Sequence, residues 1–388
     1  TQSGYTDAFF EAMSGLTTTG STVLTGLDDL PPGLLLWRAM LQWFGGIGVI
    51  VVAMVFLPEL RVGGMQIFRS EAFDTMGKVL PRAAEISSTI SAIYVSITAA
   101  CAMAYGAAGM SAFDAVTHAM TTVSTGGFAN YDASFGAFRG VTEYIAAIFM
   151  LAAALPFVLY IQLLNGHGTP LLRDSQVRAF LATTVVIVLV VAGSLYLARG
   201  MPAEESLRSA LFNIASILTG TGYASADYMT WGSFAVAVFF FVGLIGGCAG
   251  STSCSVKIFR YQILFAVVKT HIRGIHSPNG IFRPRYAGRT VGQDVLSSVM
   301  AFFMLFVLTL GVFSAALALT GLDLVTSVSG AATAIANVGP GLGPIIGPSG
   351  NFAALNDAAK WLLSAAMLIG RLELVVVLVL FTRRFWVS

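Results

Sequence analysis

Four short phrases of this chain end on glycine or pass through it. They read Thr18-Thr19-Gly20-Ser21, Thr125-Gly126-Gly127-Phe128, Gly220-Thr221-Gly222-Tyr223 and Asn337-Val338-Gly339-Pro340. None holds an acid or a histidine; what they share is backbone. Glycine adopts positive φ without steric cost, so such a phrase can turn successive peptide carbonyls to one side. Carbonyl oxygens gathered around an axis replace the hydration shell of a cation. The oxygens expected there are those of Thr18, Thr19 and Gly20, of Thr125, Gly126 and Gly127, of Gly220, Thr221 and Gly222, and of Asn337, Val338 and Gly339. A lone glycine turn in a membrane protein means close helix packing more often than ion binding. Recurrence at four places in the same context is what sets these apart.

The elements around the phrases are apolar. The chain is 56% hydrophobic and 10% charged, against about 25% charged in soluble domains, which makes it a polytopic membrane protein. About 20 apolar residues cross a bilayer core. Seven segments reach that length: 34–57, 86–108, 141–164, 178–198, 232–255, 295–319 and 359–382. Four stretches near 8–16, 115–123, 210–218 and 327–336 are too short, and each runs into a glycine phrase. They suit re-entrant half-helices. Thirteen residues before Gly20, Gly127, Gly222 and Gly339 stand Asp7, Asp114, Ser209 and Thr326, all expected as helix N-caps. Half-helices begun there aim the negative ends of their dipoles at the glycines. The order is span, half-helix, phrase, span, repeated four times, with the opening span of the first round missing from this chain. The expected units are 1–58, 59–165, 166–262 and 263–388, all helical, the third with a broken second span.

Charge gives the orientation. Loops 58–85, 165–178 and 256–294, with the C-terminus, hold 15 of the 21 Lys and Arg residues, so that side is expected to be cytoplasmic. The loop 256–294 is the most basic, and it suits anionic lipid heads or a docked cytoplasmic protein. Asp28, Asp29, Asp132, Glu204, Glu205, Asp227 and Asp357 fall on the outer side, where acids would concentrate cations. The net charge of +2, without a basic tail, gives no sign of nucleic-acid binding. Cys101, Cys248 and Cys254 form neither a metal motif nor a disulfide framework.

Two features stand below the phrases. Residues 243–254 carry Gly243, Gly246, Gly247 and Gly250 with Ser251, Thr252 and Ser253. Each glycine costs a helix about 1 kcal/mol against alanine, so this span is expected to break, or to form a small-residue packing seam. Arg371 falls in the middle of 359–382, too deep to reach either surface easily. It is expected to face a water-filled pore as a barrier to cations, or to pair with carbonyls freed by the broken span. Glu373, two residues on, lies on another helix face.

The chain resembles the Trk/Ktr/HKT superfamily of potassium transporters. The resemblance rests on Ser14-Gly15-Leu16-Thr17-Thr18-Thr19-Gly20, Val123-Ser124-Thr125-Gly126-Gly127-Phe128, Leu218-Thr219-Gly220-Thr221-Gly222-Tyr223 and Asn337-Val338-Gly339-Pro340-Gly341. The closing runs Ile369-Gly370-Arg371-Leu372-Glu373-Leu374 and Phe381-Thr382-Arg383-Arg384-Phe385-Trp386 look like the bacterial TrkH/TrkG branch. The resemblance implies four pseudo-fourfold repeats of helix, pore loop and helix around one pore, and potassium translocation across a bacterial inner membrane. It also implies a gate at Gly246, Gly247, Gly250, Ser251, Thr252 and Arg371, a homodimer, and cytoplasmic nucleotide-binding (TrkA-like) regulatory subunits. The potassium ion is substrate, and no cofactor is implied.

Other readings remain at this point. A sodium-coupled or sodium-permeable transporter of the Ktr/HKT kind has the same phrases, although glycine at all four key positions implies potassium by resemblance. An inverted-repeat carrier would need the phrases to alternate sides. An intramembrane enzyme would need a base with an orienting acid, and neither His118 nor His167 has one at a suitable spacing.

Overall fold

The computed structural model describes residues 4–55, 83–374 and 377. The expectations for the loop 58–82 and for the C-terminal Arg383 and Arg384 lie outside the described residues. The helices are α1 (Tyr5–Leu16), α2 (Pro32–Val55), α3 (Ala83–Ala107), α4 (Ala112–Val123), α5 (Val141–Ala153), α6 (Phe157–Leu164), α7 (Thr169–Arg173), α8 (Ser175–Arg199), α9 (Ala203–Thr219) and α10 (Ser233–Ile245). After them come α11 (Ile258–His276), a two-stranded antiparallel hairpin of β1 (Arg285–Tyr286) and β2 (Arg289–Thr290), α12 (Gln293–Leu319), α13 (Leu324–Ala336), α14 (Gly343–Ile346) and α15 (Asp357–Arg371).

Packing runs in a cycle. The short helices α1, α4, α9 and α13 alternate with α2, α5, α10 and α15, and each touches the next until α15 closes on α1. Outside this cycle, α3 packs on α4, α8 on α9, and α12 on α13. Among the described residues α2, α3, α8 and α12 are long and apolar enough to cross a membrane, and α5 with α6 would be a fifth if counted together. Their outer faces stay apolar and exposed, as at Val185, Val186 and Leu189 on α8 and Met304, Val307 and Val312 on α12.

Three of the seven expected spans are not single helices. The segment 141–164 bends by 92° between α5 and α6. Pro156 stands at the bend, and proline cannot donate the helical hydrogen bond that would carry a helix through. The segment 232–255 ends as a helix at Ile245, and α11 starts only at Ile258. In the segment 359–382, α15 stops at Arg371 and Glu373 has φ 62°, with helical backbone present again at Leu374 and Val377. Arg371 is therefore the last residue of a helix, not the middle of one.

The predicted caps are also corrected. The N-caps are Gly4, Ser111, Pro202 and Asp323. Asp7, Asp114 and Thr326 each stand at the third helical position, and Ser209 is deeper still, inside α9. Each helix starts before its apolar run because a polar residue in the first turn, Asp7, Asp114, Glu204 with Glu205, or Thr326, interrupts that run without ending the helix. Ser111 accepts from the Asp114 N–H and Asp323 from that of Thr326, both at 3.1 Å. Asp7 is paired with Lys360 at 2.7 Å.

Candidate functional site

All four short helices end alike. The N–H groups of Thr18, Thr125, Gly220 and Asn337 donate three residues back, to Gly15, Thr122, Ile217 and Ala334. The N–H groups of Thr19, Gly126, Thr221 and Val338 donate five residues back, to Ser14, Thr121, Ser216 and Thr333. This is a Schellman closure, which requires a left-handed residue after the helix. Thr18, Thr125, Gly220 and Asn337 have φ of 50°, 51°, 77° and 52°. Two residues on, Gly20, Gly127, Gly222 and Gly339 are again positive at 87°, 76°, 85° and 110°. The residue between them is not, so handedness alternates along each phrase.

The four phrases meet. A β-carbon on Gly20 would overlap the backbone oxygen of Gly126, one on Gly127 that of Thr221, and one on Gly222 that of Val338. One on Gly339 would lie 2.8 Å from the oxygen of Thr19. Each phrase thus faces the middle carbonyl of the next, and the fourth faces the first. Ser21 ties the same seam by donating to the Gly339 oxygen at 2.8 Å, and the Asn337 amide donates to the Thr19 hydroxyl at 2.9 Å. All four key glycines line one cavity of about 530 Å³, with Asp132, Tyr131 and Ser349 at its wall. The Asp132 carboxylate itself accepts from the Gly26 and Leu27 N–H groups.

At the other end of the phrases lie the broken segments. Gly246 and Gly250 have φ of 79° and 75°, which explains two of the glycines between Ile245 and Ile258. The Cys248 N–H donates to Ala154 O, the Thr252 N–H and hydroxyl both donate to Ala153 O, and Phe157 N–H donates to Gly250 O. The bend between α5 and α6 and the break after α10 therefore satisfy one another's backbone. Gly247 N–H donates to the Ser253 hydroxyl, and Ser251 donates to Cys248 O. Arg371 is buried; it donates to Gly45 O at 3.0 Å and Thr252 O at 3.4 Å, and it touches the Cys254 sulfur. It thus pairs with carbonyls of α2 and of the broken segment. Its neighbour Gly370 packs on Ile335 and Asn337, which places this cluster directly beneath the fourth phrase. Glu373 pairs with Arg260 at 2.6 Å and Lys257 at 3.4 Å, not with Arg371.

Residues 1–386 match the TrkH family of cation transport proteins. The chain belongs to that family. It is 48% identical to the Trk system potassium uptake protein TrkI of Halomonas elongata, over 99% of this chain and 78% of that protein. It is 39% identical to the Trk system potassium uptake protein TrkH of Salmonella typhimurium, over 98% of this chain and 79% of that protein. Its fold superposes on the crystal structure of the potassium transporter TrkH from Vibrio parahaemolyticus with a TM-score of 0.89, at 35% identity, covering 99% of this chain and 80% of the other. These relatives are transporters, so the chain is a polytopic membrane transport protein and not an enzyme.

His118 does have an acid one turn before it, Asp114 in α4, contrary to the spacing read from the sequence, but its ring meets the backbone oxygen of that residue. Its Nδ1 lies 3.0 Å from Asp114 O, and Phe135, Phe138, Tyr131 and Tyr223 surround the ring. No described group of three His, Cys, Asp or Glu side chains could hold a metal. Sequence reasoning missed two residues of α2. Arg38 pairs with Glu11 at 2.8 Å, donates to Ala129 O at 2.8 Å and covers the Phe128 ring. Gln42 bonds to Gly126 and Phe128. A charged and an amide residue one turn apart inside an apolar span were the available signal.

Proposed function

We propose that the chain carries potassium across the bacterial inner membrane. The ion passes through a filter made by the carbonyls of the four glycine phrases, with the four units arranged about one pore. The observation that supports this reading is the closed order of contacts, each key glycine against the middle carbonyl of the next phrase. All four short helices reach that ring by their C-terminal ends, so their dipoles favour a cation there. The same convergence speaks against an inverted-repeat carrier, in which half the helices would arrive from the other face.

The gate is Gly246, Gly247, Gly250, Ser251 and Thr252 with Arg371. Arg371 is held by carbonyls of two different elements, and release of either set would move its charge. Regulation comes from cytoplasmic nucleotide-binding subunits of the TrkA kind, docked on the basic side with the loop 256–294, and the working unit is a homodimer in lipid.

Rubidium uptake by full-length protein in liposomes, with and without competing sodium, tests the filter. In Gly127→Ser the added side chain must displace a neighbouring backbone oxygen, and the preference for potassium over sodium is expected to collapse. An unchanged preference would refute the assignment.

A further inference from the structure

Three of the four phrases carry a side chain at the middle position: Thr19, Thr221 and Val338. The second carries Gly126 instead. Backbone conformation does not demand it, because Gly126 is not among the positive-φ residues. Space does: a β-carbon on Gly126 would overlap the Cδ and Oε1 of Gln42. Gln42 is fully buried on α2. Its Nε2 donates to the Gly126 oxygen at 2.6 Å and its Oε1 accepts from the Phe128 N–H at 2.9 Å. The amide thus pairs with the C=O of one residue and the N–H two residues on, as the N–H and C=O of one residue in a neighbouring parallel strand would.

Resting on the filter reading above, we infer that Gln42 is a positioning residue of the second phrase. It supplies from α2 the lateral support that Thr19 and Thr221 supply from beside their own phrases. In the first and third phrases that support is visible: Thr19 is bonded to Thr17 at 2.8 Å and Thr221 to Thr219 at 2.7 Å. In the second, no side chain exists at the middle position to do so. Gln42 therefore sets the aim of the Gly126 carbonyl and hence the ion preference of the ring. The preceding turn of α2 extends the same hold, since Arg38 binds Ala129 O just beyond the phrase.

The test is an exchange of support between the two elements, read as rubidium uptake and potassium-over-sodium preference in full-length reconstituted protein. Gln42→Leu keeps the bulk and removes both hydrogen bonds. It should lower the preference at least about fivefold, the scale of one to two hydrogen bonds of ordinary net strength. Gly126→Thr alone should abolish uptake by collision with Gln42. Gln42→Ala combined with Gly126→Thr gives the second phrase the wording of the first and should restore uptake and preference. Gly20→Ala should not be rescued by Gln42→Ala, because its obstacle is a backbone oxygen. Wild-type preference in Gln42→Leu, tolerance of Gly126→Thr beside an intact Gln42, or an inactive double variant would each overturn the inference. If Gly127→Ser loses its preference while the Gln42 exchange fails, only this inference falls; if Gly127→Ser is unchanged, the filter reading falls with it.

Discussion

Thr18 and Thr125 stand where a helix end asks for glycine or asparagine. The two other phrases comply, with Gly220 and Asn337 at the left-handed position. A β-branched residue there is strained, by about 1–3 kcal/mol. The Thr18 hydroxyl is also buried without a hydrogen-bond partner among the described residues. Thr18→Gly should therefore raise the melting temperature in detergent, by the equivalent of about 1 kcal/mol, while weakening ion preference; a lower melting temperature would show that the threonine is a structural choice. The neighbouring ion pair has the opposite character. Glu11 and Arg38 are both 2% exposed, and Glu11 also accepts from the Val23 N–H. Removing one partner of a buried pair leaves an uncompensated charge, at about 3–5 kcal/mol. Glu11→Ala should lower stability by that order, and Glu11→Ala with Arg38→Met should recover much of it, as thermal unfolding would report. Neither Arg38 nor Gln42 was legible as a support of the second phrase, because a polar side chain in an apolar span signals a partner without saying which.

The helices show where reading by apolar runs works and where it stops. All four short helices were legible because each apolar run was too brief to cross a membrane. Their starts, at Tyr5, Ala112, Ala203 and Leu324, lie before the apolar runs, since a polar residue in a first turn resembles a cap or a loop. The break after α10 was legible from its cluster of glycines, but the end of α15 at Arg371 was not, because a single Gly370 among apolar residues does not by itself mark a break. Asp323 makes the cap argument testable. The Thr326 side chain beside it, and the Thr326 N–H that donates to it at 3.1 Å, hold its carboxyl below the usual carboxylate range. A depressed folded pKa adds stability above the unfolded pKa, and that stability disappears as pH falls through the folded value. Asp323→Ala should cost about 1 kcal/mol at neutral pH, and the gap from wild type should close as pH falls through the acid range. A gap that persists at acid pH would mean that the loss comes from something other than the ionised cap. Arg371 belongs to this scale as well, since it stands at a helix C-terminus, where a cation is favoured. Arg371→Gln should raise uptake measured without regulatory subunits; unchanged uptake would leave Arg371 a structural cap and remove it from the gate.

At the scale of the whole molecule the question is which way the closed cycle of helices faces. Positive-inside bias would put the exposed Lys269, Arg273, Arg283, Arg285 and Arg289 in the cytoplasm, and the 530 Å³ cavity at the four glycines would then open outward. The native cysteines make this easy to examine. Cys101, Cys248 and Cys254 are all free and buried, so the wild-type chain should stay silent to a membrane-impermeant maleimide. Ala133 follows the second phrase, Ala203 begins the third short helix, and Ser277 ends α11; all three are exposed. In intact cells Ala133→Cys and Ala203→Cys should label from outside, and Ser277→Cys only after the membrane is opened. Two phrases read from opposite faces would break the common orientation on which a single ring of carbonyls depends. Labelling of all three from one face would place the break after α10 and the glycine ring on the same side of the bilayer, and no pore could then run between them.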